Sequence, residues 1–466
     1  MFANRQVSLA TLALDWPWTT TEIFSRLSHQ PWAMLLDSAH ASHVDARFDI
    51  LCFAPIATLQ CRANGCFLSE NNSSQLEFID KDPFDALAQV QARYFPNPQP
   101  SALPFSGGLM GYLSYDLGRE VESIPATASA DISLPTLAMG VYDFALVYDY
   151  HHQTWQLIHC QGQQALEHCY QQLLAMMATE PAPLPDFGLT QDWQSQISQA
   201  DYHDKFEQIQ AYLHSGDCYQ INLTQRFSAS YHGDEWQAYQ ALRAANSAPF
   251  SAFIRLPEQA ILSISPERFI SLNQGNIQTK PIKGTLPRHA DPHQDQANAM
   301  RLAASEKDRA ENLMIVDLLR NDIGKVASAG SVNVPKLFDI ESFPAVHHLV
   351  STVCARLDDR YQAADLLKAC FPGGSITGAP KIRAMEIIEQ LEPSRRAIYC
   401  GSIGYISQDN QMDTNICIRT LLAEDQRLYC WAGGGIVADS TAASEYQESF
   451  DKLSKILPVL SQLNAT

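Results

Sequence analysis

A carboxylate that the sequence forces against apolar neighbours is the first sign of chemistry in this chain. Glu311 directly precedes Asn312–Leu319 (NLMIVDLL), whose apolar residues recur at helical spacing. At about 100° per residue, Glu311 falls beside Ile315 and Leu318, on the face that should be buried. A carboxylate there must be ion-paired, protonated or metal-bound. A structural pair with an arginine satisfies the pattern as well as a ligand role does. Near the C-terminus, Glu445, Glu448 and Lys452 stand at i, i+3 and i+7 and share one helix face. That is also what a solvated face looks like. Joined with Glu311, Glu448 offers what Mg²⁺ takes: one or two carboxylates, with waters and substrate oxygens completing the shell.

Three further stretches carry groups suited to anions or nucleophilic attack. Gly373 to Lys381 reads GGSITGAPK. The Gly373…Gly378 spacing mimics a phosphate loop, but Ala379-Pro380 stands where Lys-Ser/Thr is required, so the nucleotide reading fails. Pro380 is expected in the first turn of a helix carrying Ile382, Met385 and Ile388. A Gly-rich turn entering a helix, at Gly374, Ser375 and Thr377, presents free N–H groups to an anion; an ordinary tight turn has the same composition. Gly433, Gly434 and Gly435 follow the strand Leu428–Ala432, which means either a bulge or close approach of a ligand to the backbone. Arg419 lies in a predicted strand, Thr414–Leu421, where it either grips a carboxylate bidentately or faces solvent. Lys283 sits between Ile282 and Gly284, close to Lys280, after a strand beginning near Asn276. A lysine becomes nucleophilic when burial or a nearby cation favours its neutral form. Composition alone puts most such lysines on the surface.

These groups need a large scaffold, and the chain supplies one. Its 466 residues are 46% hydrophobic and 18% charged, the composition of a folded globular protein. A formal net charge of −19 argues against general nucleic-acid binding, without excluding a small anion at a local site. No apolar run reaches the ~18 residues of a membrane helix. Met1 to Trp16 has Arg5 as its one base and no long apolar stretch, so no secretory signal is expected. Eleven cysteines without C-x-x-C spacing suit reduced thiols and a cytoplasmic location.

The elements read as follows. Phe48–Cys61 is extended, and Tyr142–Tyr150 with Thr154–Cys160 forms a hairpin about His151–Gln153. Proline-rich breaks fall at Pro96–Pro104 and Pro181–Pro185; the second suggests an N-terminal region of residues 1–190 and a second region of 191–466. Tyr202, Phe206, Ile209 and Leu213 mark a helix capped by Ser198 and Asp201 and closed by Gly216. Cys218–Phe227 reads as a strand. Tyr446, Phe450, Leu453, Leu457 and Leu460 form one stripe on a single final helix. The expected class is α+β with large antiparallel sheets.

The motifs in order resemble the chorismate-utilising enzyme family from near Ser198 to Leu460. The resemblance rests on Ser265-Pro266-Glu267-Arg268, Pro281–Thr285, Asp308–Asn312, Asp317–Asp322, His348–Ser351, GGSITGAPK, Gly401–Tyr405 and Glu445–Glu448. In the first half, Leu35-Leu36-Asp37-Ser38 and Gly107–Tyr112 are similar to the amino-terminal portion of the family's ammonia-using large subunits. The resemblance implies an anthranilate synthase component I-like fold, a β-sandwich core with helices packed outside. It implies Mg²⁺ held by Glu311 and Glu448 on the ring carboxylate of chorismate, supported by the Gly374–Thr377 turn. Arg419 and the backbone of Gly434 and Gly435 would bind the enolpyruvyl carboxylate, with Tyr405 nearby; Lys452 and His348 complete the substrate-binding set. Asp308 stands where many relatives have Glu.

Two positions choose within the family. Water-using relatives have a lysine where this chain has Gln220, so Gln220 implies ammonia as the nucleophile. Anthranilate-forming members usually read Pro-Ile-Ala-Gly-Thr, whereas this chain reads Pro-Ile-Lys-Gly-Thr. The resemblance then implies that Lys283 attacks the ring, Glu267 protonates the departing 4-hydroxyl with a pKa raised by burial, and ammonia displaces the lysine to give 4-amino-4-deoxychorismate. No G-x-C-x-G element is present, so a separate glutamine amidotransferase subunit is expected to deliver ammonia in a heterodimer. Leu-Leu-Asp-Ser further implies a tryptophan-sized pocket at Ser38, Pro249 and Phe250. The competing expectations are an anthranilate-forming enzyme and a non-catalytic tryptophan-binding partner protein.

Overall fold

Several strands of this chain are apolar on both faces, so those strands must be covered on two sides. In Met34–Asp37, Met34 points into one core and Leu35 into another; Ile50 and Leu51 of Phe48–Cys52 divide the same way. The structure, a computed structural model describing residues 7–71, 75–181, 183–342 and 346–463, meets this need with two stacked antiparallel sheets and outer helices. Arg5 and Ala182 of the proline-rich connector lie outside the described residues.

The first sheet runs Ala10–Leu14, Thr154–His159, Phe144–Asp149, Phe48–Cys52, Met34–Asp37, Phe250–Arg255, Gln259–Ser265, Thr420–Glu424, Arg427–Ile436, Gln220–His232 and Gly188–Leu189. The second runs Ile282–Pro287, Val346–Arg356, Asn276–Thr279, Arg268–Asn273, Met412–Asn415, Ser402–Ser407, Gly108–Leu113, Leu137–Tyr142, Ala57–Arg62, Gly65–Glu70 and Leu76–Ile79. Each sheet therefore joins strands from both halves of the sequence. One core lies between the sheets; a second packs the first sheet against helices Gln163–Met177 and Glu235–Asn246.

Local expectations hold at several points. The hairpin pairs Phe144–Asp149 with Thr154–His159. Helix Gln199–Ser215 has the Ser198/Asp201 capping box, and Gly216 closes it at φ 82. Elsewhere the structure corrects the reading. The predicted strand Thr414–Leu421 is two: Met412–Asn415 belongs to the second sheet and Thr420–Glu424 to the first. The chain crosses between sheets in Ile416–Arg419, with Arg419 at φ 52. Ser265 and Arg268 bracket a matching crossing, and the two corners are stitched by Ile416 N–H to Glu267 O (3.0 Å) and Ile264 N–H to Arg419 O (3.0 Å).

The expected single final helix breaks into Ala442–Asp451 and Leu457–Gln462. Pro458 lacks an N–H and fits only a first turn. Pro380 is the N-cap of Lys381–Leu391 rather than part of its first turn, and Ile382 on that helix is exposed. Cys61 and Cys66 are disulfide-bonded across the hairpin of Ala57–Arg62 and Gly65–Glu70, where reduced thiols were expected; the other nine cysteines are outside any disulfide. No helix of the described residues is long and apolar enough to cross a membrane.

Candidate active site

Lys283 lies on the edge strand Ile282–Pro287, whose pairing with Val346–Arg356 slips between Lys283 and Thr285. Gly284 makes the slip possible at φ 75, and a Cβ there would sit 2.8 Å from the Asp308 carboxyl carbon. Such a bulge re-aims the side chain beside it. The Lys283 amine donates to the carbonyl of Ser375 at 3.1 Å. The Glu267 carboxyl, on the neighbouring corner, accepts from the Ser375 hydroxyl and the Ile282 N–H. Burial pushes the Lys283 ammonium down from the usual lysine range, opposed by Glu311 and Glu267. Burial pushes the Glu267 carboxyl up, opposed by Lys283 and its hydrogen bonds. An acid and an amine thus share one serine, each moved towards its neutral form.

Helix Glu306–Gly324 brings Glu311 to this pair, and helix Ala442–Asp451 brings Glu445 and Glu448. A Cβ on Gly434 would lie 3.0 Å from Glu445 Oε2 and 3.1 Å from Glu448 Oε1, so both carboxylates rest on that glycine. Burial raises the Glu311 and Glu445 carboxyls, and neighbouring carboxylates raise them further. Lys452 pairs with Glu448 at 2.7 Å and donates to Gly433 O at 2.7 Å. Lys307 stands 3.9 Å from Glu311. Among the described residues no three His, Cys, Asp or Glu side chains form a closed metal-ligand group. Hard oxygens with open positions fit Mg²⁺, which keeps waters and takes substrate oxygens.

The opposite side is cationic. The half-buried guanidinium of Arg419 has no carboxylate partner among the described residues, and burial alone presses its pKa down. His348 is buried, bonds Thr285 Oγ1 through Nδ1 (2.8 Å), and is pushed down to about 4 by burial and by Arg419, so it is neutral at pH 7. An unpaired guanidinium beside a neutral imidazole is a site for an anion. Gln220 is fully buried with neither amide atom bonded to protein; its amide packs where a Cβ of Gly435 would collide.

The glycine turn is held from behind by residues whose roles the sequence did not suggest. Arg396, paired with Glu392 at 2.8 Å, donates to Ile376 O (2.9 Å) and Asn222 O (2.8 Å). Lys381 pairs with Asp322 at 2.5 Å and donates to Cys370 O at 3.2 Å. Lys381–Asp322 and the Arg396 bonds to Ile376 and Asn222 join segments distant in sequence, and spacing carries no signal for them. Thr377 is buried and turns its hydroxyl back onto Gly373 O (3.2 Å). Leu318 fills the space beside Gly374.

Tyr405 stands elsewhere. Its ring meets Phe105 edge-on (5.4 Å), and its hydroxyl feels Asp413 and Arg268 rather than Arg419. It lines a cavity of about 640 Å³ together with Ser38, Asp45, Pro249, Phe250 and Arg268. The structure therefore groups Tyr405 with the residues expected to form the tryptophan-sized pocket, and corrects its placement beside Arg419.

This site and scaffold define a class. The family of chorismate binding enzymes matches residues 33–458, and the chain belongs to it. Over 454 residues it is 56% identical to aminodeoxychorismate synthase component 1 of Klebsiella aerogenes, covering 97% of this chain and 99% of the relative. It is 53% identical over 460 residues to the protein of the same name in Escherichia coli K12, covering 98% and 100%. The crystal structure of anthranilate synthase component I from Streptococcus pneumoniae TIGR4 superposes with a TM-score of 0.79 at 34% identity, covering 89% of this chain and 93% of that one.

Proposed function

We infer that this chain aminates chorismate, converting chorismate and ammonia to 4-amino-4-deoxychorismate and water. The observation that carries the reading is the Lys283–Ser375–Glu267 arrangement, with the amine and acid each displaced towards the neutral form. The neutral Lys283 nitrogen bonds to ring C2, the C1=C2 and C5=C6 double bonds move to C1=C6 and C4=C5, and the C4–O bond breaks. Glu267 gives its proton to the departing hydroxyl, which leaves as water. The adduct nitrogen returns a proton to the Glu267 carboxylate. Ammonia then bonds to C4, both double bonds return, the C2–N bond breaks as Glu267 protonates the departing Lys283 nitrogen, and the new C4 ammonium gives a proton back to Glu267. Two displacements leave the amino group at C4.

The substrate is a dianion entering an acidic protein, so both carboxylates need partners. Arg419 and the Gly434–Gly435 backbone would take the enolpyruvyl carboxylate. Glu311 and Glu448, with Glu445 beside them, would hold Mg²⁺, which supplies charge neutralisation at the ring carboxylate. Ammonia would come from a separate glutamine amidotransferase subunit. The cavity at Ser38, Pro249 and Phe250 suits L-tryptophan: the Arg268–Asp45 ion pair gives its wall a polar patch, and Phe250 and Tyr405 offer aromatic walls. We place the reaction in the cytoplasm, which suits nine cysteines outside any disulfide.

The test is mass spectrometry of products from chorismate, Mg²⁺ and ammonium, with glutamine in place of ammonium as a second arm. We expect 4-amino-4-deoxychorismate with ammonium and no turnover with glutamine alone. Anthranilate and pyruvate as the products would overturn the reading in favour of the anthranilate-forming relatives.

A further inference from the structure

One carboxylate from the first half of the chain ties together the two segments that carry the acid and the amine. Asp45, in the loop after Met34–Asp37, accepts from Arg268 Nη1 on Oδ1 at 2.9 Å and from Lys280 Nζ on Oδ2 at 3.4 Å. Arg268 directly follows Glu267, and Lys280 precedes Lys283 by three residues. Both cations are held from a second side. Asp413 grips Arg268 bidentately (2.9 and 2.9 Å), and Glu341 pairs with Lys280 at 2.8 Å while meeting His43 Nε2 at 3.3 Å. Burial works against charge on Asp45, yet Arg268 and Lys280 outweigh it and keep its carboxyl below the ordinary range.

The sheet alone does not set the spacing of the two catalytic side chains. Arg268–Asn273 slips against Met412–Asn415 between Arg268 and Ile270, and Ile282–Pro287 slips between Lys283 and Thr285. Lys280 and Pro281 lie between paired strands, where the backbone contact is a long one, Ser351 N–H to Pro281 O at 3.4 Å. The ladder is thus irregular exactly where the chemistry sits, and a bulged strand is free to bend. We propose that Asp45 is a positioning residue for the Glu267–Lys283 pair, its double ion pair fixing the segment ends from which acid and amine project. The inference rests on the amination reading above. It assigns a catalytic consequence to a residue of the N-terminal region that touches neither reacting group.

The experiment compares the full chain with Asp45→Asn, Asp45→Glu and Lys280→Gln, under saturating ammonium and Mg²⁺. Asn keeps the shape of the clamp and removes its charge. We expect Asp45→Asn and Lys280→Gln each to lower kcat about tenfold while KM for chorismate changes less than about twofold. Asp45→Glu should return kcat to within about threefold of the parent. The Asn and Gln losses should not add in the double variant, because each cuts the same tie. A structural role alone would lower melting temperature and active fraction, so kcat is counted per folded molecule by circular dichroism on the same preparation, where such a role leaves it at the parent value. Parent kcat in Asp45→Asn, or in Lys280→Gln should the Asn variant not fold, would overturn the clamp. Product identity, read in the same assay, tests the amination reading separately: an anthranilate product would refute that reading while the kcat ratios still decide the clamp.

Discussion

Lys283 donates its amine to the backbone carbonyl of Ser375 across 3.1 Å, while the hydroxyl of the same serine meets the Glu267 carboxyl. Substitution of Ser375 removes one of these contacts and leaves the other. Lys283→Ala is expected to lower product formation by about 1,000-fold or more with the fold intact. Unchanged 4-amino-4-deoxychorismate formation would remove the lysine from the mechanism. Ser375→Ala keeps the carbonyl but takes a donor from the Glu267 carboxylate. The Glu267 pKa, already raised by burial, then rises further. In the proposed mechanism the productive form has Glu267 protonated, so the gain falls at alkaline pH. The ratio of variant to parent kcat should rise with pH; a flat ratio contradicts the shared-serine geometry.

His348 makes stability depend on pH. Its ring is buried and neutral, held down to about 4 by burial and by Arg419, against an ordinary value of 6.5. A folded-state value below the unfolded one means that the unfolded chain takes the proton first. Stability is therefore complete above pH 6.5 and is lost as pH falls from 6.5 towards 4. The loss through this one group is about 3 kcal/mol. Urea midpoints of the parent and His348→Gln, followed over that range, should converge as pH falls. Parallel curves would show that the ring does not stay neutral in the folded protein.

Arg419 separates function from stability. Its guanidinium is half-buried at a sheet-to-sheet corner with no carboxylate partner among the described residues. An unpaired cation in such a place costs the free protein stability, and an arriving carboxylate offsets that cost. Arg419→Met should raise the melting temperature of the ligand-free chain and raise KM for chorismate about a hundredfold. Steady-state kinetics and a thermal melt on one preparation decide it. A lower melting temperature would mean that the guanidinium already has a structural partner.

Much of the local architecture was legible, and the reasons show in single residues. Ser198, Asp201 and Gly216 mark a helix because capping and left-handed closure depend on nearby residues alone. The glycines at 433–435 left open a bulge or the approach of a ligand, and in the structure Gly434 is the surface on which Glu445 and Glu448 rest. Sheet membership was not legible. Met34 and Leu35 are both buried, so no polar alternation tells which face belongs to which core. Arg419 sat inside an apolar run that looks like one strand, because Ile416 and Ile418 are buried or half-buried on either side of the crossing. Tyr405 was assigned by motif, and a motif fixes a position along a strand without saying which neighbouring site that strand serves. Lys381–Asp322 and Arg396–Asn222 are tertiary contacts, visible only once helix and turn are brought together.

The acidic side of the site predicts its own metal response. Glu311, Glu445 and Glu448 raise or feel one another, with Lys283, Lys307 and Lys452 only partly compensating. Mutual repulsion of this kind destabilises the free protein and favours a cation that binds the folded state alone. Added Mg²⁺ should therefore raise the melting temperature of the parent, while a chelator lowers both melting temperature and turnover. Glu311→Gln and Glu448→Gln should each start with an equal or higher melting temperature than the metal-free parent, because a repelling charge is gone. Each should then show a much smaller Mg²⁺ shift, with the Mg²⁺ concentration for half-maximal rate raised about tenfold or more. The Glu448→Gln effect should be the smaller at low Mg²⁺, since Lys452 already neutralises that carboxylate at 2.7 Å. An Mg²⁺ shift of parental size in Glu311→Gln would place the ion away from this helix.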